Sequence, residues 1–345
     1  PQAFYPWRRF WARSFDLLLY QTLWLLLIAL GFGVLLVPRT NVHSFFDAVV
    51  AMLLMLVLEP LWLAFFGTTP GKAIFGLAIR NQEGQKLTYK EARERTWAVF
   101  GSGLGYAIPF YQLYRMWRSF KQCSENETLE WDLDLTYSIQ DTRAGRGWLL
   151  AAAQAALLAI LVFVMLFQNR APQRGDLTVA DFVRNYEHYQ KLLEVDFGPE
   201  YLDEEGEWQE KEFNGPVYID LLDSPTPVYE YQVEEGILRG VHFEIELRNH
   251  EGWLSTYRTH KMLVTLALAG AQAEAGFFGQ TAGEASRTVS ELLFEDYAIT
   301  TAGVQIENRL ENRGYLTADQ WGFIQDDDAA EQYFYLEFSV RTVRD

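Results

Sequence analysis

Three stretches of this chain are each long and apolar enough to cross the hydrocarbon of a bilayer, which takes about 20 residues in a helix. They are residues 15–37, interrupted by Asp16, Gln21 and Thr22; residues 45–66, carrying Asp47 and Glu59 followed by Pro60; and residues 148–167, with Gln154 as the polar interruption. Hydrocarbon offers backbone N–H and C=O groups no partners, so such segments must cross as helices. A fourth run, residues 97–113, is shorter and holds Gly101, Gly103, Gly105 and Pro109. Those residues interrupt helices, so a re-entrant or interfacial segment is expected in place of a full span. The first span is too long, and too closely followed by a second, to read as a cleaved signal peptide.

The net charge of −17 hides a division of the chain. Up to Gln168 there are 15 basic and 12 acidic residues, and after it 14 basic and 34 acidic. A mildly basic, apolar half therefore precedes a strongly acidic one. Such an acidic half repels phosphate backbones, so no nucleic-acid partner is expected. Cys123 is the single cysteine, so an intrachain disulfide is excluded.

Basic residues are retained on the cytoplasmic side of a membrane. Arg8, Arg9 and Arg13 place the N-terminus inside, and Lys72, Arg80, Lys86, Lys90, Arg93 and Arg95 place the segment after the second span inside as well. If residues 97–113 crossed once, Arg115, Arg118, Lys121, Arg143 and Arg146 would lie outside; if they re-enter, those charges lie inside. The second arrangement obeys the rule, and the last span then exports the acidic half.

The motif Arg9-Phe-Trp-Ala-Arg13-Ser-Phe-Asp16 at the mouth of the first span resembles the opening signature of the RDD family of membrane proteins. The resemblance continues through Gly67-Thr-Thr-Pro-Gly-Lys72, Gly76-Leu-Ala-Ile-Arg80 and Glu83-Gly84 to Trp131-Asp132, and covers residues 6–139. It implies that Arg9, Asp16 and Asp132 are the family's namesake trio. It also implies a bacterial cytoplasmic (inner) membrane location and, from proposals for some members, ion/proton antiport. The last span and the acidic half exceed the minimal family module.

On a helix, positions 9, 13 and 16 share one stripe, with Arg13 in reach of Asp16. A charge at the centre of a span costs about 2.5–3.5 kcal/mol on the insertion scale, so each carboxylate needs a partner or water. Two readings stand for Asp16: an interfacial anchor paired with Arg13, or a proton- or cation-exchanging carboxylate. For Glu59 they are an ion-handling group beside the Pro60 kink, or a protonated interhelical contact. The Gly67 to Lys72 motif is no phosphate loop, since three residues separate its glycines and Ala73 follows the lysine. A tight turn is expected there, with Lys72 and Arg80 at the turn or near lipid phosphates.

Residues 77–80, the Glu83-Gly84 turn and residues 86–87 read as a hairpin, to which residues 133–139 add a strand, bringing Asp132 beside Arg9. Thr88 and Glu91 form a capping box that starts a basic helix.

In the acidic half, Thr178 and Asp181 open an amphipathic helix to about residue 194. Residues 217–221 and 228–233 read as strands. Val241, Phe243, Ile245 and Leu247 alternate with His242, Glu244, Glu246 and Arg248, the pattern of a half-buried antiparallel strand. The uncharged residues 262–273 are too short to span and predict a core helix, followed by another over residues 283–294. Strands over 304–310 and 333–340, with a turn near Gly314, close the sheet. The histidines lack metal-ligand spacing, and the acidic turns at Asp203 to Glu207 and Asp326 to Asp328 lack the alternation of a calcium loop. No catalytic residue, metal or cofactor is assigned.

The expected architecture is multi-domain: an α-helical transmembrane module of three spans plus a re-entrant segment, and a soluble α+β domain with an antiparallel sheet. Its parts are residues 1–146, a membrane module with a cytoplasmic hairpin; 147–168, the final span; 169–175, a linker; and 176–345, an extracytoplasmic acidic domain. Expected partners are membrane lipid, further copies of the chain or a membrane complex, and an extracytoplasmic protein. The whole chain reads as a membrane adaptor or scaffold, with cation or proton transport through an oligomer as the alternative, and enzymatic activity ranks last.

Overall fold

The computed structural model describes residues 4–37, 39–133, 135–139, 143, 145–211, 224–250, 252–318, 322–326 and 329–343. The chain divides into two compact units, Pro1–Met165 and Leu166–Asp345.

In the first unit, helix α1 (Pro6–Leu26) begins with proline in its first turn and continues through a π-turn, Leu27–Gly31. The helix thus starts well before the apolar run, and Arg8, Arg9 and Arg13 lie on it. Helix α2 (Asn41–Phe66) is capped by Thr40, whose hydroxyl accepts from the His43 N–H, and it runs unbroken through Pro60. Gly67 ends it at φ +70°, a left-handed cap that suits glycine. Helix α3 (Pro70–Ile74) follows, capped by Thr69, and then strand β1 (Leu77–Asn81).

Helix α4 (Tyr89–Ala98) is capped by Thr88 with Glu91 reaching back, as the capping box requires. After it, Gly101 and Gly103 lie in a π-turn (Val99–Gly103) and Gly105 opens a 3-10 turn (Gly105–Ala107). Pro109 then precedes helix α5 (Tyr111–Ser124). Tyr106, Ala107 and Phe110 all have positive φ, so residues 97–113 form no continuous helix. A short 3-10 turn (Glu130–Asp132) leads to strand β2 (Leu135–Ile139), and helix α6 (Arg146–Phe167) ends the membrane part.

Among the described residues, three helices are long and apolar enough to cross a membrane: Pro6–Gly31, Asn41–Phe66 and Arg146–Phe167. Only Leu150, Leu161 and Val164 of α6 are buried, so most of its apolar surface is free to meet lipid.

One expectation is corrected. Strand β1 pairs antiparallel with β2, Leu77 opposite Ile139 and Asn81 opposite Leu135, not with residues 86–87. The Asn81 side chain accepts from the Glu83 and Gln85 N–H groups, closing a tight turn. Thr88 caps α4 immediately afterwards, leaving no room for a returning strand.

In the second unit, helix α7 (Val179–Leu192) is capped by Thr178 and Asp181. A hairpin of β3 (Glu200–Leu202) and β4 (Trp208–Glu210) follows. Its turn is closed by Asp203, whose carboxylate accepts from the Glu205 and Glu207 N–H groups. Next come strands β5 (Glu230–Glu234), β6 (Ile237–Arg248) and β7 (Trp253–Leu254) and helices α8 (Arg258–Ala269) and α9 (Gln280–Glu291). Strands β8 (Tyr297–Thr301), β9 (Val304–Arg313), β10 (Tyr315–Ala318), β11 (Gly322–Gln325) and β12 (Tyr333–Thr342) complete it.

The main sheet is antiparallel in the order β5-β6-β12-β9-β8, with a smaller sheet β10-β11-β7. Val241, Phe243 and Ile245 of β6 are buried while Glu244 and Glu246 are exposed, as the alternation requires. Their side chains share one core with Leu263, Val264 and Ala267 of α8, Phe182 and Tyr186 of α7, and Phe334 and Phe338 of β12. Helix α9 starts and ends three residues earlier than expected, because Gly279 at φ +73° turns the chain at its N-terminus. The strand expected over 217–221 lies outside the described residues, as do residues 327 and 328 of the second acidic turn.

Candidate functional site: a buried charge network

The stripe on α1 faces a group of charges that no single segment reveals. Arg9 pairs with Asp132, which also accepts from Arg95 Nε at 3.2 Å and Nη2 at 2.9 Å. Arg13 grips Glu59 with both terminal nitrogens, Nη2 at 2.9 Å from Oε1, and its Nη1 lies 3.2 Å from Met55 Sδ. Lys72 Nζ donates to Glu59 Oε1 at 3.0 Å and stands 3.7 Å from Asp16 Oδ2. Arg95 Nη1 is 3.9 Å from Glu59. The carry-over trio is thereby connected in space: Asp16 leads to Lys72, Glu59, Arg95, Asp132 and Arg9.

Asp16 does not take Arg13 as its hydrogen-bond partner. It accepts from Thr69 Oγ1 at 2.5 Å and from the Gly71 N–H at 2.7 Å, both at the start of α3. The turn can approach because Gly71 has no side chain: a Cβ there would lie 2.1 Å from the Ala12 carbonyl oxygen. Lys72 is buried and points at these carboxylates, which corrects its expected place near lipid phosphates. The attraction of two carboxylates outweighs anything an exposed phosphate offers across water. Arg80 donates to the Gly67 and Ile79 carbonyls and secures the turn.

Asp16, Glu59 and Asp132 are all buried, as are Lys72 and Arg95. Among the described residues, four cations, Arg9, Arg13, Lys72 and Arg95, surround three carboxylates, an excess of one positive charge. Burial would raise the Asp132 carboxyl, but Arg95 and Arg9 prevail and hold it below the usual carboxylate range. Burial draws the Lys72 ammonium below the usual lysine range, with Glu59 and Asp16 opposing. Cys123, also buried, has its thiol pushed up by burial, with Arg9 nearby opposing. Chemically the cluster locks α1, α2, α3, α4 and the Asp132 turn together, since withdrawing any of its carboxylates leaves buried cations uncompensated.

A second pair was not singled out by sequence reading. Arg39 Nη2 donates to both oxygens of Asp47 at 2.8 Å, and Trp24 Nε1 donates to Oδ1 at 2.8 Å. The signal was present: a carboxylate inside a span demands a partner, and Arg39 lies in the short connection before it. Arg95 and Thr69 were also missed as site residues, the first counted only as a topology charge. Near the broken segment, Arg115 donates to the Ser102 carbonyl at 2.5 Å and pairs with Glu130 at 3.0 Å, tying α5 to the glycine-rich turns. Among the described residues, no three His, Cys, Asp or Glu side chains converge as metal ligands would.

A model of the RDD family matches residues 5–178, half of the chain. No curated protein and no solved structure matches the chain.

Proposed function

The chain belongs to the RDD family and is an integral membrane protein, and from that premise we propose that it acts as a membrane adaptor. In this reading the charge network is a lock that rigidifies the membrane module, and the acidic unit binds a protein partner on the extracytoplasmic side. The supporting observation is the pairing of Glu59. Three cations already surround this carboxylate, and among the described residues the cluster carries a net positive charge, which disfavours an incoming cation. The N-terminus is inside, in accord with Arg8, Arg9 and Arg13, and residues 97–113 re-enter without crossing.

Site-specific photocrosslinking from the exposed Leu316 and Val233 in native membranes tests the adaptor. A discrete adduct with a second protein is expected, and adducts with only the chain itself would sink it.

One observation favours transport as a second reading. The Tyr20 hydroxyl is buried beside the same cluster and has no hydrogen-bond partner among the described residues, so a polar path could pass it. Proteoliposome flux decides: cation or proton flux that Glu59→Gln and Asp16→Asn abolish would establish transport, and a folded wild-type protein without flux would exclude it.

A further inference from the structure

The second unit contains a groove of about 600 Å³ beginning at Leu166, in the last turn of the third span. That volume lies within the roughly 300–1,000 Å³ typical of small-molecule sites. Its trough is apolar, formed by Leu166, Leu192, Met262, Leu266 and Phe278. Two further lining residues are Arg258, which is exposed, and Arg287, whose side chain is 71% exposed and 3.9 Å from Glu291. No carboxylate is among the described lining residues. This is unusual for a half of the chain with 34 acidic and 14 basic residues.

The chain just past the span is held to this unit. His188 Nε2 is hydrogen bonded to the Gln168 carbonyl at 2.9 Å, and Tyr189 Oη donates to the Asn169 carbonyl at 3.2 Å. The Arg170 guanidinium lies over the Phe167 and Phe277 rings at 4.8 and 5.3 Å. Phe167 and Arg170 lie at the end of the apolar span, where a helix of that length reaches the headgroups. The groove therefore opens where the chain leaves the bilayer, with apolar surface for a hydrocarbon chain and two guanidiniums for an anion.

We propose that this groove seats an anionic phospholipid, an acyl chain lying in the trough and the headgroup phosphate meeting Arg258 and Arg287. Guanidinium forks match phosphate oxygens, and the surrounding bilayer supplies the ligand at high local concentration. The site holds for either orientation of the second unit and is independent of the adaptor reading.

The test uses the full chain in phosphatidylcholine nanodiscs containing a small fraction of phosphatidylglycerol with a diazirine near the end of one acyl chain. After illumination, labelled peptides are mapped by mass spectrometry. Adducts are expected on the peptides spanning 258–266 and 280–290, competed by unlabelled phosphatidylglycerol but not by added phosphatidylcholine. Arg258→Gln with Arg287→Gln is expected to lower their yield about tenfold, and Met262→Trp, which fills the trough, to lower it without touching a charge. Labels confined to the three spans, or equal competition by phosphatidylcholine, would overturn the site. Displacement by oleate but not by phosphatidylglycerol would do the same, since it identifies a free fatty acid as the occupant.

Discussion

Lys72 Nζ lies 3.0 Å from Glu59 Oε1, so an ammonium from the turn after the second span neutralises a carboxylate on that same span. Glu59 also holds Arg13 and faces Arg95, whereas Lys72 adds the fourth cation to a cluster of three anions. Their removal is therefore asymmetric. Glu59→Gln leaves three buried cations under-compensated and is expected to lower stability by about 3–5 kcal/mol. Lys72→Met leaves a neutral cluster and is expected to cost about half as much. Thermal unfolding of the full chain in detergent checks the order, and an equal or larger loss for Lys72→Met would refute it.

Gly71→Ala places a methyl carbon against the Ala12 carbonyl, where a Cβ would be only 2.1 Å away. The turn must withdraw from α1 and break the Gly71 N–H bond to Asp16. A loss of about 2 kcal/mol or more is expected, seen as a lower melting midpoint. Gly283→Ala is the matched comparison for the general effect of losing a helical glycine, because it has no positive φ and meets nothing within 4 Å.

Lys261 is buried in the second unit, under the Phe338 ring at 5.9 Å, and burial pushes its ammonium down to about 7. In the unfolded chain it titrates near 10.4. Between those values the unfolded state binds a proton that the folded state lacks, so stability rises with pH across that window. Near pH 6 the buried group is mostly an ammonium, and burying it costs on the order of 3–5 kcal/mol relative to the stability reached above the ordinary lysine range. Lys261→Met is expected to raise the melting midpoint at pH 6 and to flatten its climb between pH 7 and 10. His260, which burial pushes down to about 3, contributes a separate rise over the acidic range up to about 6.5. That rise should survive the Lys261 substitution.

Cys123 is buried with a raised thiol pKa, so it is expected to resist a membrane-impermeant maleimide from either side until the protein is unfolded. Topology is read better from new cysteines on a Cys123→Ala background. Ser44 and Gln85 are both exposed. With the N-terminus inside, Ser44→Cys is labelled in intact cells and Gln85→Cys only after lysis; the opposite pattern inverts the proposed orientation.

Sequence reading found the elements whose signals are local. The three spans follow from apolar length, the caps of α4 and α7 from Thr88 with Glu91 and Thr178 with Asp181, and β6 from strict alternation. The short strands β7, β10 and β11 were not read, since four residues or fewer carry too little periodicity to separate from loop. The supposed hairpin after β1 failed because a tight Asn81 turn and a returning strand look alike until the partner strand, more than 50 residues later, is known.

For the candidate site, residue types and one face of α1 were legible: Arg9, Arg13 and Asp16 share a stripe, and Glu59 and Asp16 are carboxylates that hydrocarbon will not accept alone. The requirement for partners is a property of sequence, because the cost of an isolated charge does not depend on the fold. The choice of partners is not. Arg13 passes over Asp16, three residues away, for Glu59 on another helix, and Asp16 turns to Thr69 and the Gly71 N–H, because α2 and α3 bring those groups closer and more completely out of water. Composition and periodicity thus determined that this chain crosses a membrane and carries an acidic α+β unit. Only the packing of α1 against α2 and α3, and of α2 against α4, decided which charges meet, since pairing energies depend on distances of a few ångströms that no local pattern encodes.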